Sequence, residues 1–135
     1  RNPPRWNQHL GSPRWVALAD SLHPPYATLF ETPMFNHTVH FWLKPDTTDA
    51  QRAEFVAGLK ALADSPNVAS VSARKPAGTP REVVDNSYDY QLFVTFKDSA
   101  AHEAYQSADD AAHQRFIDSF KPLFDRVLIY DSVEA

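Results

Sequence analysis

A run of ten residues, 35–44, constrains the fold of this chain more than any other part of its sequence. Side chains of an extended strand alternate between two faces. The apolar residues of this run fall at every second position together with one histidine, in the order Phe35, His37, Val39, Phe41 and Leu43. The run therefore predicts a β-strand with His37 on its apolar face and with His40 and Trp42 on the other. Such a histidine is either a hydrogen-bonded core residue or part of a pocket, and the strand alone leaves both interpretations open.

The composition excludes several classes of protein. The 135 residues are enough for one core domain, and the 13 basic residues in a chain of net charge −4 form no stripe for nucleic acid and no patch for a membrane surface. There is no cysteine, so disulfides, thiolate metal sites and a cysteine nucleophile are excluded. No run resembles a transmembrane helix or a signal peptide. We expect neither nucleic acid nor membranes as partners. The compartment stays open, with the cytoplasm slightly favoured, and Arg1 in place of Met is consistent with removal of a leader or tag.

Residues 1–34 differ in composition from the rest of the chain. They hold six of the eleven prolines and only five charged residues, which is typical of an arm rather than of a sheet. Ser12 and Pro13 form a helix start, and apolar residues follow at helical spacing. We therefore expect an N-terminal arm with a short helix at 1–34, followed by the main domain at 35–135.

The order of elements in the main domain predicts its architecture. A capping box at Thr48 and Gln51 opens a helix that runs to about Asp64. Strands are predicted at 68–74, at 88–97 and at 127–131, with helices from Ser99 to Tyr105 and from Ser107 to Pro122 between the last two. The chain is thus expected to be an α+β protein with a ferredoxin-like βαββαβ protomer, in which helices cover one face of a four-stranded antiparallel sheet.

A single helix layer leaves the second face of such a sheet bare. His40, Trp42 and Phe93 would lie on that face, which exposes more apolar surface than a protein in water tolerates. Two sheets that close face to face remove this surface from water. We therefore expect a homodimer that forms through the sheet face.

Several segments together carry a resemblance to a known family. They are 37–44, 93–99, the pair Ala104 and Tyr105, then His113 with Phe116, and finally 127–131. In order and spacing they resemble the stress-responsive dimeric α/β-barrel domain family over residues 35–133. The resemblance implies a ferredoxin-like protomer that pairs sheet to sheet into a dimeric α+β barrel. The functions of this family are diverse.

One member type of the family, the plant polyketide cyclase that makes olivetolic acid, is similar in its pocket residues. The resemblance implies that His37, Tyr105 and His113 are candidate catalytic residues. The chain departs from that cyclase at Tyr90, where the cyclase has a histidine, and in a longer run at 106–112. A histidine and a tyrosine that meet in an apolar cavity can act as an acid–base pair, because one accepts a proton beside a carbonyl while the other donates to the developing oxyanion.

These observations predict a small apolar pocket that binds an unidentified small organic molecule, with cofactor-independent activity of the cyclase or lyase kind as one option. The expected lining, besides the three catalytic candidates, is Tyr90, Val39, Phe41, Leu92, Phe55, Leu59 and Phe116. One alternative is a non-catalytic, structural stress-response dimer with a filled core. Another, by fold analogy alone, is a monooxygenase of the same barrel superfamily.

Neither a metal nor a cofactor is expected from the sequence. His37 and His40 lie on opposite faces of one strand, and His102 and His113 lie on separate turns without a carboxylate at ligand spacing. The three glycines form no cluster that could make a phosphate-binding loop.

Overall fold

Within residues 34–135, four antiparallel strands form one sheet, and three α-helices accompany it. The computed structural model describes residues 34–135; the predicted arm at 1–34, apart from Met34, lies outside the described residues. In chain order the elements are β1 Phe35–Leu43, α1 Asp49–Ala61, β2 Ser70–Arg74, β3 Tyr90–Phe96, α2 Ser99–Gln106, α3 Ala111–Phe120 and β4 Phe124–Ser132. Short 3₁₀ turns follow α1 and α3. The strands lie in the spatial order β2-β3-β1-β4, and this antiparallel topology is that of the predicted ferredoxin-like α+β fold.

The first helix begins as the sequence predicts. The Thr48 hydroxyl accepts a hydrogen bond from Gln51 N at 3.1 Å, and the Gln51 side chain accepts one from Thr48 N at 2.8 Å. This capping box satisfies two backbone donors that a helix start otherwise leaves without partners. Phe55 and Leu59 follow on one stripe of α1 and are fully buried.

The third helix begins later than predicted. Its N-cap is Asp110, whose side chain accepts from His113 N at 3.0 Å, and the helix starts at Ala111. Ser107, the predicted start, instead ends α2, because its hydroxyl donates to the carbonyl of Ala104 at 2.7 Å. Asp110 is the better cap here because its carboxylate is also held by two side chains from the segment after α1.

The strand boundaries also differ from the predicted ones. The second and third strands are shorter, beginning at Ser70 and Tyr90, whereas β4 is longer and pairs with almost all of β1, from Asn36 with Ser132 to Leu43 with Phe124. The extended β4 brings Asp131 directly opposite His37 in the register.

The register gives the sheet two distinct faces. Along β1 and β3, buried residues alternate with partly exposed ones, and the buried set faces the helices and forms the core with residues of α1, α2 and α3. The largest fully buried side chains are Tyr105, Phe55, Phe96, Leu59, Leu62, Leu92 and Val94. Among residues 34–135, no helix has the length and apolar character needed to cross a membrane.

The opposite face, here called the open face, carries residues that are only partly covered. His40, Trp42 and Phe93 are intermediate in exposure, and Tyr130 of β4 is exposed. The Arg126 guanidinium lies 4.3 Å from the centre of the Trp42 ring, a cation–π contact at the edge of this face. The open face therefore has the aromatic composition that the sequence predicts.

Candidate functional site

A cavity of about 310 Å³ lies on the helix side of the sheet, between β1, β4 and the last two helices. Its polar lining includes His37, Tyr105 and His113, and most of the remaining surface is apolar. Two apolar residues of its wall, Val127 and Ile129 on β4, are 39% and 46% exposed, so the cavity opens along this edge strand. The three candidate catalytic residues thus border a single apolar volume.

His37 is held in the wall of the cavity by a carboxylate. The residue is 3% exposed, and its Nδ1 lies 2.6 Å from Asp131 Oδ1 on the neighbouring strand. A carboxylate accepts a hydrogen bond, so the proton of the neutral ring sits on Nδ1. The Nε2 atom of His37 then carries the lone pair and can accept a proton.

Tyr105 projects from α2 and meets both histidines. Its ring centre is 6.0 Å from that of His37 and 4.3 Å from that of His113. Burial raises the pKa of the Tyr105 hydroxyl, and the negative charge of Asp110 raises it further. The hydroxyl therefore stays protonated at neutral pH and acts as a hydrogen-bond donor rather than as a base.

His113 sits in the first turn of α3, next to a buried anion. Burial lowers its pKa, and the Asp110 carboxylate opposes this only in part, so that the ring is neutral at neutral pH. Its Nδ1 atom is buried and has no hydrogen-bond partner among the described residues. Such an atom is costly to leave unpaired, by about 1–3 kcal/mol, which favours a ligand or a water molecule beside it.

Asp110 connects this part of the site to the segment after α1. The carboxylate accepts from Ser65 Oγ at 2.5 Å, from Asn67 Nδ2 at 2.9 Å and from His113 N at 3.0 Å. Burial tends to raise the pKa of Asp110, but these hydrogen bonds outweigh burial and hold the pKa below its usual value. The network fixes the start of α3 and hence the position of His113.

Four of the predicted lining residues, Val39, Phe41, Leu92 and Phe116, border the cavity with the three polar residues. The structure places the other three elsewhere: Phe55 and Leu59 are fully buried in the core, and Tyr90 lines a separate cavity of about 400 Å³. Tyr90 shares that second cavity with Arg74 and Lys75. The pocket role of these seven residues stays a prediction.

Sequence reasoning missed two residues beside His37. His102, on α2, has its ring centre 4.9 Å from that of His37, and its Nε2 lies 3.9 Å from Asp131 Oδ2. Burial lowers the pKa of His102, and the nearby His37 lowers it further, although Asp131 opposes both effects. His37, His102 and Asp131 offer three potential metal-ligand atoms that all lie within 4.8 Å of one another.

The sequence contained one indication that Asp131 belongs to this cluster. Asp131 follows Val127 and Ile129 at two-residue spacing, which places its side chain on the helix side of the last strand. Only the strand pairing brings it opposite His37, and that pairing joins residues 94 positions apart.

Known proteins resemble the chain in sequence pattern and in fold. A family model described as the stress responsive A/B barrel domain matches residues 35–134. No functionally curated protein matches the chain in sequence.

Three solved structures illustrate the likeness of fold. A hydroxynitrile lyase from Passiflora edulis superposes with a TM-score of 0.65 at 14% identity, over 76% of this chain and 94% of that one. A Dabb family protein with a ferredoxin-like fold from Mesorhizobium loti gives a TM-score of 0.61 at 25% identity, over 76% and 98% of the two chains. A dimeric ferredoxin-like protein of unknown function from Thermobifida fusca gives 0.63 at 16% identity, over 77% and 93%. The described residues thus share the fold of these proteins.

Proposed function

The chain belongs to the stress responsive A/B barrel domain family, and from this premise we propose that its cavity binds a small organic carbonyl compound and assists proton transfer beside the carbonyl. The observation that carries the proposal is the convergence of His37, Tyr105 and His113 on one apolar cavity of about 310 Å³. Polar groups that are only structural are normally hydrogen-bonded within the protein. Here His113 Nδ1 has no partner among the described residues, and it borders the same open volume as His37 and Tyr105.

The size and lining of the cavity define the class of ligand. An engineered apolar cavity of about 150 Å³ holds benzene, so 310 Å³ is enough for one aromatic ring with a short side chain. The apolar body of such a molecule would lie against Phe41, Phe116 and Ile129, and its polar end would face the histidines and Tyr105. Small phenyl ketones and phenolic aldehydes fit this description.

The three polar residues take distinct roles in the proposed chemistry. His37 Nε2 is the base, because its Nδ1 proton is committed to Asp131. The Tyr105 hydroxyl donates a hydrogen bond to the carbonyl oxygen and stabilises the negative charge that develops there when the proton beside the carbonyl leaves. His113, which is neutral and lies with its ring centre 4.3 Å from that of Tyr105, orients the ligand.

The binding part of the proposal is tested with two probes of the same shape. Acetophenone carries the carbonyl, and α-methylstyrene replaces its oxygen with a methylene group. We expect the protein to bind acetophenone about tenfold more tightly, as one additional hydrogen bond of about 1–1.5 kcal/mol predicts. In Tyr105→Phe the two affinities should become equal. Equal affinities in the unsubstituted protein, or no binding of either probe by titration calorimetry, would refute the proposal.

The proton-transfer part uses the same ketone. In D₂O a base beside the bound carbonyl exchanges the methyl protons of acetophenone for deuterium, and proton NMR records the rate. We expect exchange above the buffer background that disappears in His37→Gln and falls in Tyr105→Phe. Binding without exchange would leave a ligand-binding protein and remove the catalytic role. If acetophenone shows no binding and no exchange, the result favours the alternative of a purely structural dimer.

We further propose that two copies of the chain associate through the open face. His40, Trp42 and Phe93 of β1 and β3 are only partly covered, and exposed Tyr130 extends the same aromatic surface onto β4. The dimeric description of the similarly folded protein from Thermobifida fusca supports this assembly. Burial of this face against a second sheet would remove an apolar surface from water.

A further inference from the structure

We propose that His37, His102 and Asp131 form a binding site for a divalent transition-metal ion such as Zn²⁺, a role that goes beyond the acid–base arrangement described above. One ring nitrogen of each histidine and a carboxylate oxygen of Asp131 all lie within 4.8 Å of one another. His37 Nδ1 and His102 Nε2 are the nitrogens that approach the Asp131 carboxylate, so they would be the ligand atoms. The residues come from β1, α2 and β4, so the folded domain assembles the cluster from three distant parts of the sequence.

Of the two distances from Asp131 to the histidines, one is shorter and one is longer than the ligand–ligand distance in a zinc site. Two ligands bonded to Zn²⁺ at about 2.0–2.1 Å in tetrahedral geometry lie roughly 3.3 Å apart. His37 Nδ1 is 2.6 Å from Asp131 Oδ1, which is closer than that, and His102 Nε2 is 3.9 Å from Asp131 Oδ2, which is slightly farther. The Asp131 side chain is 38% exposed, so packing restricts its carboxylate less than it restricts the His37 ring. Only a small rearrangement of the carboxylate is therefore needed.

The His102 ring is fixed in position but its Nε2 atom is unsatisfied. The ring stacks on Phe35 with centres 4.2 Å apart and an angle of 19°, and it meets the edge of Phe96 at 5.2 Å. Its Nε2 atom is buried and has no hydrogen-bond partner within residues 34–135. A buried nitrogen that faces a histidine and a carboxylate without a partner has the arrangement that a coordinated ion would satisfy.

The donor set selects the type of ion. Two imidazole nitrogens and one carboxylate suit Zn²⁺, Co²⁺, Ni²⁺ or Cu²⁺, whereas Mg²⁺ and Ca²⁺ prefer oxygen ligands alone. Three protein ligands leave a fourth position for water or for another oxygen ligand, as in open zinc sites. Because His37 Nδ1 would coordinate the ion, its proton would move to Nε2, so the metal-bound protein would lack the base proposed above.

The test is a calorimetric titration of the full chain, stripped with a chelator and then dialysed, with ZnCl₂ in the absence of any organic probe. We expect one Zn²⁺ per chain and a rise in the melting temperature with the ion present. His102→Phe keeps a ring to stack on Phe35 while it removes the ligand atom, and Asp131→Asn keeps the side-chain shape. Each should weaken binding at least about tenfold, since even the loss of supporting groups costs about 10–100-fold.

Two controls separate the cluster from other histidines. His40→Ala removes a ring on the opposite face of β1 and should leave the affinity within about twofold. The double variant His9→Ala/His23→Ala removes the histidines that precede the described residues and should retain one-to-one binding. Loss of binding in that variant, retention of full affinity in both His102→Phe and Asp131→Asn, or absence of binding by the unsubstituted chain would overturn the proposal.

Cobalt gives a second readout of the same site. Co²⁺ bound by two imidazoles and a carboxylate should show visible d–d absorption that His102→Phe abolishes. The acetophenone experiments above are run with chelator present, so failure of the metal proposal leaves their result intact. Conversely, the titration with Zn²⁺ tests the metal site even if acetophenone neither binds nor exchanges its protons.

Discussion

His37 Nδ1 and Asp131 Oδ1 lie 2.6 Å apart, and this contact joins the first and last strands across 94 positions of sequence. The pair is asymmetric in exposure, because the His37 side chain is 4% exposed and that of Asp131 is 38% exposed. The carboxylate is thus placed to orient the ring from outside the cavity, while the ring itself faces the proposed ligand. A substitution of Asp131 can therefore change the orientation of the His37 ring without changing a residue that lines the cavity.

Asp131→Asn should therefore separate binding from proton transfer. An asparagine amide can donate to Nδ1, which would place the ring proton on Nε2 and remove the base. We expect acetophenone exchange in D₂O to fall at least about tenfold, since misdirection of a catalytic histidine by this substitution costs up to about 10⁴-fold elsewhere. The dissociation constant of acetophenone, measured in the same samples, should change by less than about twofold.

Asp125→Asn is the matched control, because Asp125 lies on the same strand and is exposed. Asp125→Asn should change neither the exchange rate nor the dissociation constant of acetophenone. If Asp131→Asn weakened binding and exchange in equal proportion, Asp131 would be supporting the shape of the cavity rather than the tautomer of His37.

Asp110 should make stability depend on pH in a defined direction. Its folded-state pKa lies below the usual value of 3.8, so the unfolded chain holds the proton more tightly than the folded one. The stabilisation is complete above the unfolded pKa and is lost as the pH falls through the folded pKa. Asp110→Asn should lower the free energy of unfolding by about 1–3 kcal/mol at pH 7, and this difference should shrink below about pH 4.

Urea unfolding of both proteins at a series of pH values measures this effect. Asp109→Asn, which changes an exposed neighbour, should have little effect at any pH. A destabilisation by Asp110→Asn that stayed constant down to pH 3 would mean that the charge of Asp110 is not what stabilises the folded state.

The parts of the fold that depend on local pattern could be predicted from sequence. The strands β1 and β3 are predicted by their strict alternation, and the start of α1 is predicted by its capping box. Both signals lie within a few residues, because the period of a strand and the hydrogen bonds of a cap are local. The start of α3 could not be predicted in this way. Ser107 and Asp110 are both acceptable caps, and only the contacts of Asp110 with Ser65 and Asn67, more than 40 positions earlier, decide between them.

The same difference between local and long-range information applies to the candidate site. His37, Tyr105 and His113 could be proposed from a family resemblance, and the structure brings their rings together. Asp131 and His102 could not be proposed, because their proximity to His37 results from strand pairing and from the position of α2 against the sheet. The complete burial of Phe55 and Leu59 on α1 likewise depends on their depth in the core, which periodicity alone does not give.

Trp42→Glu should disrupt the proposed dimer. The substitution would place a carboxylate on the open face, and burial of that charge between two sheets is strongly unfavourable. It also removes the contact of Trp42 with Arg126. Light scattering should show monomer or aggregate instead of dimer, whereas Ala57→Glu, which adds the same charge to an exposed position of α1, should leave the dimer unchanged. A well-folded dimer of Trp42→Glu would contradict association through this face.

Gly58 should resist replacement by alanine even though it lies inside a helix. Alanine in place of glycine normally stabilises a helix by about 1 kcal/mol, but a methyl group at this position of α1 would lie 2.2 Å from Phe120 Cε2 and 2.7 Å from its Cζ. The Phe120 ring is itself packed between Phe55 and Phe116, with centres 5.5 Å and 5.3 Å away.

Movement of the ring would therefore disturb its packing on these two side chains, and overpacking of this kind costs about 1–3 kcal/mol. We expect Gly58→Ala to lower the melting temperature by a few degrees, as roughly 4–8 °C per kcal/mol predicts for a domain of this size. In a Phe120→Leu background, where the obstructing ring is absent, the same substitution should raise the melting temperature because only the gain in helix propensity remains. Stabilisation by Gly58→Ala in both backgrounds would show that the ring of Phe120 moves aside without cost and that α1 and α3 are less tightly packed than their contacts indicate.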